Sequence, residues 1–121
     1  MTSRTATAFG TRAVASVQLR LEEGWFTLCP AERLLPGRGV AALLPDGRQV
    51  ALFRDRTGRL YAVDNRDPFS GAAVLSRGLL GHASGRPFVA SPLLKQRFDL
   101  ESGHCLDDDT VILTSYDVRV R

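Results

Sequence analysis

Glycine and proline punctuate this chain so densely from Gly24 to Gly103 that no long helix has room to form. The breaks include Pro36-Gly37, Pro45-Asp46-Gly47, Gly58, Pro68, Gly71, Gly78, Gly85, Pro87 and Pro92. They recur roughly every eight to twelve residues, the rhythm of short strands joined by tight turns. The segments between them have matching chemistry. An apolar run from Gly39 to Leu44 leads into Asp46-Gly47, a pair that supplies the positive φ a hairpin needs. Arg48 to Arg54 is rich in apolar and aromatic residues, Asp55 to Gly58 forms a second turn, and Leu60 to Val63 reads as a third strand. These three form a predicted meander. Pro87–Ala90 and Arg97–Leu100 read as two more short strands, and Thr110 to Val120 closes the sheet, with alternation at Tyr116, Val118 and Val120. Ala31 to Leu35 and Ala72 to Leu80 have room for one helical turn each, too short to stand as amphipathic helices. The predicted class is all-β, a small barrel or sandwich of short antiparallel strands.

Length and charge narrow the function. At 121 residues the chain fits one domain that needs no disulfide or metal to hold it together. Its formal charge is +3, yet Lys95 is the only lysine and the arginines are scattered singly. There is no basic run and no interleaving of aromatics with cations, so nucleic acid is excluded as a partner. No stretch approaches the roughly 18 apolar residues of a membrane span. Two cysteines without a Cys-x-x-Cys spacing make a disulfide framework improbable and point to a reducing, cytoplasmic setting. Residues 1–20 are rich in Thr, Ser, Ala and Arg, with no acid before Glu22. That composition overlaps with transit peptides, but the plainer reading is a loose tail preceding a domain at 21–121.

Isolated motifs offer little catalytic chemistry. Gly37-x-Gly39 lacks the third glycine and following helix of a dinucleotide site. Asp107, Asp108 and Asp109 are contiguous, whereas calcium loops alternate their ligands and include a glycine, so a solvated turn is expected. His104 and Cys105 are neighbours, and neighbours on a strand point to opposite faces. Cys29 has no basic neighbour in sequence to activate it and is expected to be structural. Trp25 is expected in the core.

Two segments carry a more specific signal. Asp64, Asn65 and Pro68 lie in the first, and Pro92, Phe98, Asp99, Leu100 and Gly103 in the second. This frame resembles a Rieske domain, whose loops read Asp-Asn-x-Cys-Pro-His and Cys-Pro-x-His-Gly-Trp-x-Phe-Asp-Leu-x-x-Gly. The resemblance implies a small barrel or sandwich with a smaller inserted loop subdomain. In register, however, the two cysteines fall on Asp67 and Ser91 and the two histidines on Phe69 and Leu94. A Rieske 2Fe-2S centre takes two thiolates on one iron and two imidazoles on the other. Phe69 and Leu94 offer no lone pair, and Asp67 and Ser91 offer hard oxygen where soft sulfur is needed. No cluster and no other metal or cofactor is therefore expected in this chain, and no catalytic residue.

The cluster-less variant of the pattern resembles the small subunit, of the NirD type, of NAD(P)H-dependent assimilatory nitrite reductase. The likeness runs from about Gly24 onward. Its specific segments are Asp67-Pro68-Phe69 and Ser91-Pro92-Leu93-x-Lys95-Gln96. It implies a partner, the large subunit that carries FAD, siroheme and an iron–sulfur cluster and reduces nitrite to ammonia. On that reading the complex is an oxidoreductase, while the chain alone is inert and accessory. A free-standing interaction module and a Rieske-type ferredoxin of an oxygenase are the alternatives. The two former cluster loops are the expected contact region, with Arg66, Phe69, Leu94, Lys95, Gln96 and Arg97 as interface candidates. Phe69 and Leu94 are expected to form an apolar pair there, plugging the hole left by the cluster, docking a partner, or both.

Overall fold

The meander predicted at 39–63 is the central wall of the molecule. The computed structural model describes residues 15–121. Its strands are β1 (Ser16–Leu21), β2 (Gly24–Pro30), β3 (Gly39–Leu43), β4 (Gln49–Arg54), β5 (Leu60–Asp64), β6 (Leu79–Ala83), β7 (Arg86–Ala90), β8 (Arg97–Asp99), β9 (Ser115–Tyr116) and β10 (Val118–Val120). All pair antiparallel, in three sheets ordered β10-β1-β2, β3-β4-β5-β9 and β6-β7-β8.

The apolar runs of β4 and β5 are continuous because both their faces are covered. On one side Val50, Leu52 and Ala62 pack with Val17 and Leu19 of β1 and with Leu34 and Leu44. On the other, Ala51, Phe53, Tyr61 and Val63 pack with Val89 and Phe98 of the small sheet and with Leu75 and Leu100. A strand buried on both faces loses the polar half of its alternation, and that is the run visible in the sequence. The hairpin turns follow the predicted chemistry: Gly47 and Gly58 each adopt φ near 92°.

The small sheet β6-β7-β8 is the inserted subdomain. Leu80, Val89 and Phe98 stand opposite one another across its strands, and Cys105 continues the row through a bridge to Phe98. This row faces the core: Val89, Phe98 and Cys105 are buried, and Leu80 packs on them. The alternate row, Leu79, Ala90 and Arg97, then Leu106 whose amide donates to the Arg97 carbonyl, faces outward. Gly78 lets the chain into β6, because a Cβ there would collide with the Ala90 carbonyl.

Four expectations need correction. β1 begins at Ser16, inside the stretch 1–20 expected to be tail, because Val17 and Leu19 alternate with polar Gln18 and Arg20 and are fully buried. The remainder of that stretch, 1–14, lies outside the described residues. The turn expected over Ala72 to Leu80 is helical only over Leu75–Arg77, a 3-10 turn, after which Leu79 enters β6. Trp25 is not a core residue. It pairs with Arg20 on the outer face of β1-β2 and lies under the Arg119 guanidinium at 4.0 Å, while Phe26 supplies the inward contact. Finally, the closing segment serves two sheets, since β9 joins β5 and β10 joins β1 with Asp117 between them. The ends of the described chain meet there: the Ser16 and Arg121 amides each donate to the other residue's carbonyl, at 2.8 and 2.9 Å.

Candidate functional site: the two former cluster loops

The loop after β5 is anchored by Asn65. Its side-chain amide donates to Gln49 Oε1 and to the Ala73 carbonyl, and its Oδ1 accepts the Ser76 amide at 2.7 Å. With every polar atom of a buried amide partnered, the loop base is fixed to β4 and to the 3-10 turn. Two residues on, Asp67 is fully buried. Its Oδ1 accepts the Phe69 amide at 2.9 Å, its backbone closes on Ala72 and Gly71, and Gly71 takes φ 77° to make that turn. The Arg66 guanidinium donates to the Gly71 carbonyl at the same turn.

The second loop leaves β7 at Ser91 and returns at Gln96, whose carbonyl accepts the Ser91 amide at 2.8 Å. Ser91 is also buried, and its hydroxyl donates to Asp67 Oδ2 at 2.6 Å. This contact joins the loops. The two positions that match the cysteines of the Rieske pattern are hydrogen-bonded to each other, twenty-four residues apart in the chain. Sequence reasoning treated them only as failed ligands. The available signal was that both were replaced by small polar residues, one a donor and one an acceptor.

The two histidine positions part company. Phe69 is half-buried against the core, its ring 6.1 Å from that of Phe98 at 45°. Leu94 is 51% exposed. The expected Phe69–Leu94 apolar pair is thereby corrected: one side chain joins the core of the small sheet and the other stays in solvent with Leu93. The backbone explains part of this. Lys95 stands where the Rieske pattern has glycine, and it keeps the left-handed conformation, with φ 71°, that a glycine would adopt freely. Of the remaining interface candidates, Arg66 and Lys95 are exposed and Gln96 is half-buried with its Oε1 unpartnered. Arg97 donates to Asp107 through both its backbone and its guanidinium, so Asp107 is more than the solvated turn residue expected.

On the small sheet, Asp99 is buried and held by the fork of Arg86, at 2.5 and 3.0 Å, and by the amides of Glu101 and Ser102. Burial alone would raise its carboxyl; the guanidinium and the two amides outweigh that and bring it down to about 2. Beside the first loop, Tyr116 donates to Asp64 at 2.7 Å and accepts from Arg48, which is itself held by Asp46. Burial and then that bond to Asp64 push the Tyr116 hydroxyl up, so it holds its proton. Burial likewise pushes the Cys29 thiol up, against the opposing pull of Arg33, which favours its protonated form. His104 is exposed and Cys105 buried, on opposite faces as expected. Among the described residues no three His, Cys, Asp or Glu side chains gather as a metal site, and no helix is long and apolar enough to cross a membrane.

Residues 24–121 match the family model of a Rieske-like 2Fe-2S domain. The chain is 46% identical over 98 residues to the nitrite reductase (NADH) small subunit of Salmonella typhimurium, covering 80% of this chain and 90% of that protein. It is 43% identical over 96 residues to the nitrite reductase [NAD(P)H] large subunit of Klebsiella oxytoca, covering 79% of this chain and 10% of that protein. Among solved structures, the E. coli protein NirD superposes with a TM-score of 0.70 at 44% identity, over 78% of this chain and 86% of that one. The cluster in the family description does not fit the residues here. The space between the two loops is closed by a direct Ser91–Asp67 bond, and the other two positions offer only carbon.

Proposed function

The chain belongs to the family of nitrite reductase small subunits, and from that premise we propose that it is the accessory, non-redox small subunit of an NAD(P)H-dependent nitrite reductase, working with a large subunit that holds FAD, siroheme and an iron–sulfur cluster. The observation that carries the non-redox part is the Asp67–Ser91 hydrogen bond. It replaces a metal-mediated join between the loops with an organic one that carries no electron. The frame is kept and the electron carrier is gone, which fits a role in supporting or positioning the large subunit. The Klebsiella relative supports the partnership, since a matching stretch there is part of the large-subunit polypeptide itself. Two chains that occur as one elsewhere have a natural reason to bind when separate. The contact is expected through the exposed parts of the former cluster tip, at Arg66, Leu94, Lys95, Gln96 and Arg97, with Phe69 bracing it from beneath. The setting is the cytoplasm, where the nicotinamide is supplied. A ferredoxin role would require a cluster that this donor set cannot ligate.

The test is nitrite-dependent oxidation of NADH by the cognate large subunit, with and without this chain, alongside an iron assay on the chain purified alone. Activity that rises on addition, with no iron bound, is the expected result. Iron at two atoms per chain would overturn the non-redox role, and a large subunit that neither binds the chain nor responds to it would overturn the partnership.

A further inference from the structure

Of the outward row of the small sheet, only Arg97 was among the interface candidates singled out in sequence. Leu79 is 76% exposed at the start of β6, and Ala90, Arg97 and Leu106 continue its row across the strands. The second loop springs from the middle of this row, between Ala90 and Arg97, and adds Leu93 and Leu94, each 51% exposed. Half-exposed leucines scattered singly are ordinary, but here four are spread over one face of the small sheet and the loop that springs from it. Its charges are segregated. At the Leu106 end Arg97 pairs with Asp107, and Asp108 and Asp109 have no cation partner among the described residues; the unpaired cations lie toward the other end. Arg77, two residues before Leu79, and Lys95, next to Leu94, have no carboxylate partner among the described residues. Lys95 also holds a strained left-handed φ at a position where glycine would sit without strain.

We infer that this face, Leu79, Leu93, Leu94 and Leu106 with Arg77 and Lys95 at its rim, is where the chain docks on the large subunit, against an apolar surface bordered by carboxylates. The inference rests on the partnership proposed above and is continuous with the tip assigned there. Apolar contact at the centre supplies affinity, and the unpaired cations steer encounter and fix register.

The experiment is calorimetric titration of the purified cognate large subunit with the full chain, with L79S/L94S, with K95G and with L43S. Leu43 is as exposed as these leucines but lies on β3, in a different sheet. The expected result is a loss of affinity of about tenfold or more for L79S/L94S, a several-fold loss with a weaker salt dependence for K95G, and no change for L43S. K95G should fold at least as well as the parent, so its weaker binding cannot come from unfolding. Parent-like binding by both L79S/L94S and K95G would overturn the assignment of this face while leaving the partnership intact. Failure of the parent chain to bind would overturn both. A parent chain that sediments as a dimer and becomes a monomer on L79S/L94S would assign the face to a second copy instead.

Discussion

The two positions that match cluster histidines, Phe69 and Leu94, were both replaced by apolar residues, yet they ended in opposite environments. Phe69 is braced on Phe98 within a loop stitched by Asn65 and Asp67, whereas Leu94 sits on a loop that Ser91 closes through the Leu93 and Lys95 amides and the Gln96 carbonyl while the Leu94 side chain stays 51% exposed. The difference shows that losing a cluster poses two separate problems. The base of the loops must be rejoined, which the Asp67–Ser91 bond and the Phe69 ring accomplish. The rim need not be rebuilt at all, and its exposed carbon is left available to a partner.

That division can be broken most sharply at the base. Asp67→Ala leaves the buried Ser91 hydroxyl without an acceptor and the Phe69 amide without its side-chain partner, and should cost about 3 kcal/mol in urea unfolding. If the double variant Asp67→Ala/Ser91→Ala loses as much as the two single losses added together, the two residues are not coupled and the stitch is an accident of proximity. Phe69→Ala should cost about 2 kcal/mol, less than a wholly buried phenylalanine, with partner binding retained. Unchanged stability with lost binding would move Phe69 from base to rim. Acid should act next, on the small sheet from which the second loop springs. The Asp99 carboxyl is lowered in the folded state, so the stability it contributes is present above the ordinary carboxylate value and lost as pH falls from about 4 towards about 2. The loss should be about 1–2 kcal/mol by calorimetry. Arg86→Ala should move the acid transition to higher pH, and a transition that stays put would show that the two amides suffice. At the rim the effect should be smallest: Leu94→Ser should shift the thermal midpoint by no more than about 0.5 kcal/mol corresponds to, and a larger drop would mean that Leu94 packs in solution.

The frame of this molecule was legible because turns and doubly covered strands write themselves in residue types. Asp46-Gly47 and the runs at β4 and β5 have few alternative readings. The site was legible only in part. Identifying Asp67 and Ser91 as non-ligands needed chemistry alone, but their mutual bond depends on two loops meeting in space, which local sequence does not encode. Trp25 was misplaced for a related reason. A tryptophan next to a phenylalanine on one strand must put one ring out, and the choice is made by the register with β1. The outward leucines had the same obstacle, because Leu79 and Leu106 come to share one face only once the three strands are paired.

The meeting of Ser16 with Arg121 has a consequence for modularity. Because the two ends of the described chain lie side by side in one sheet, a longer polypeptide can enter the domain at one end and leave at the other with almost no gap to span. Such a unit can be moved between a separate gene product and a segment of its partner without redesign of either. The closure that completes the first sheet thus also makes the domain portable.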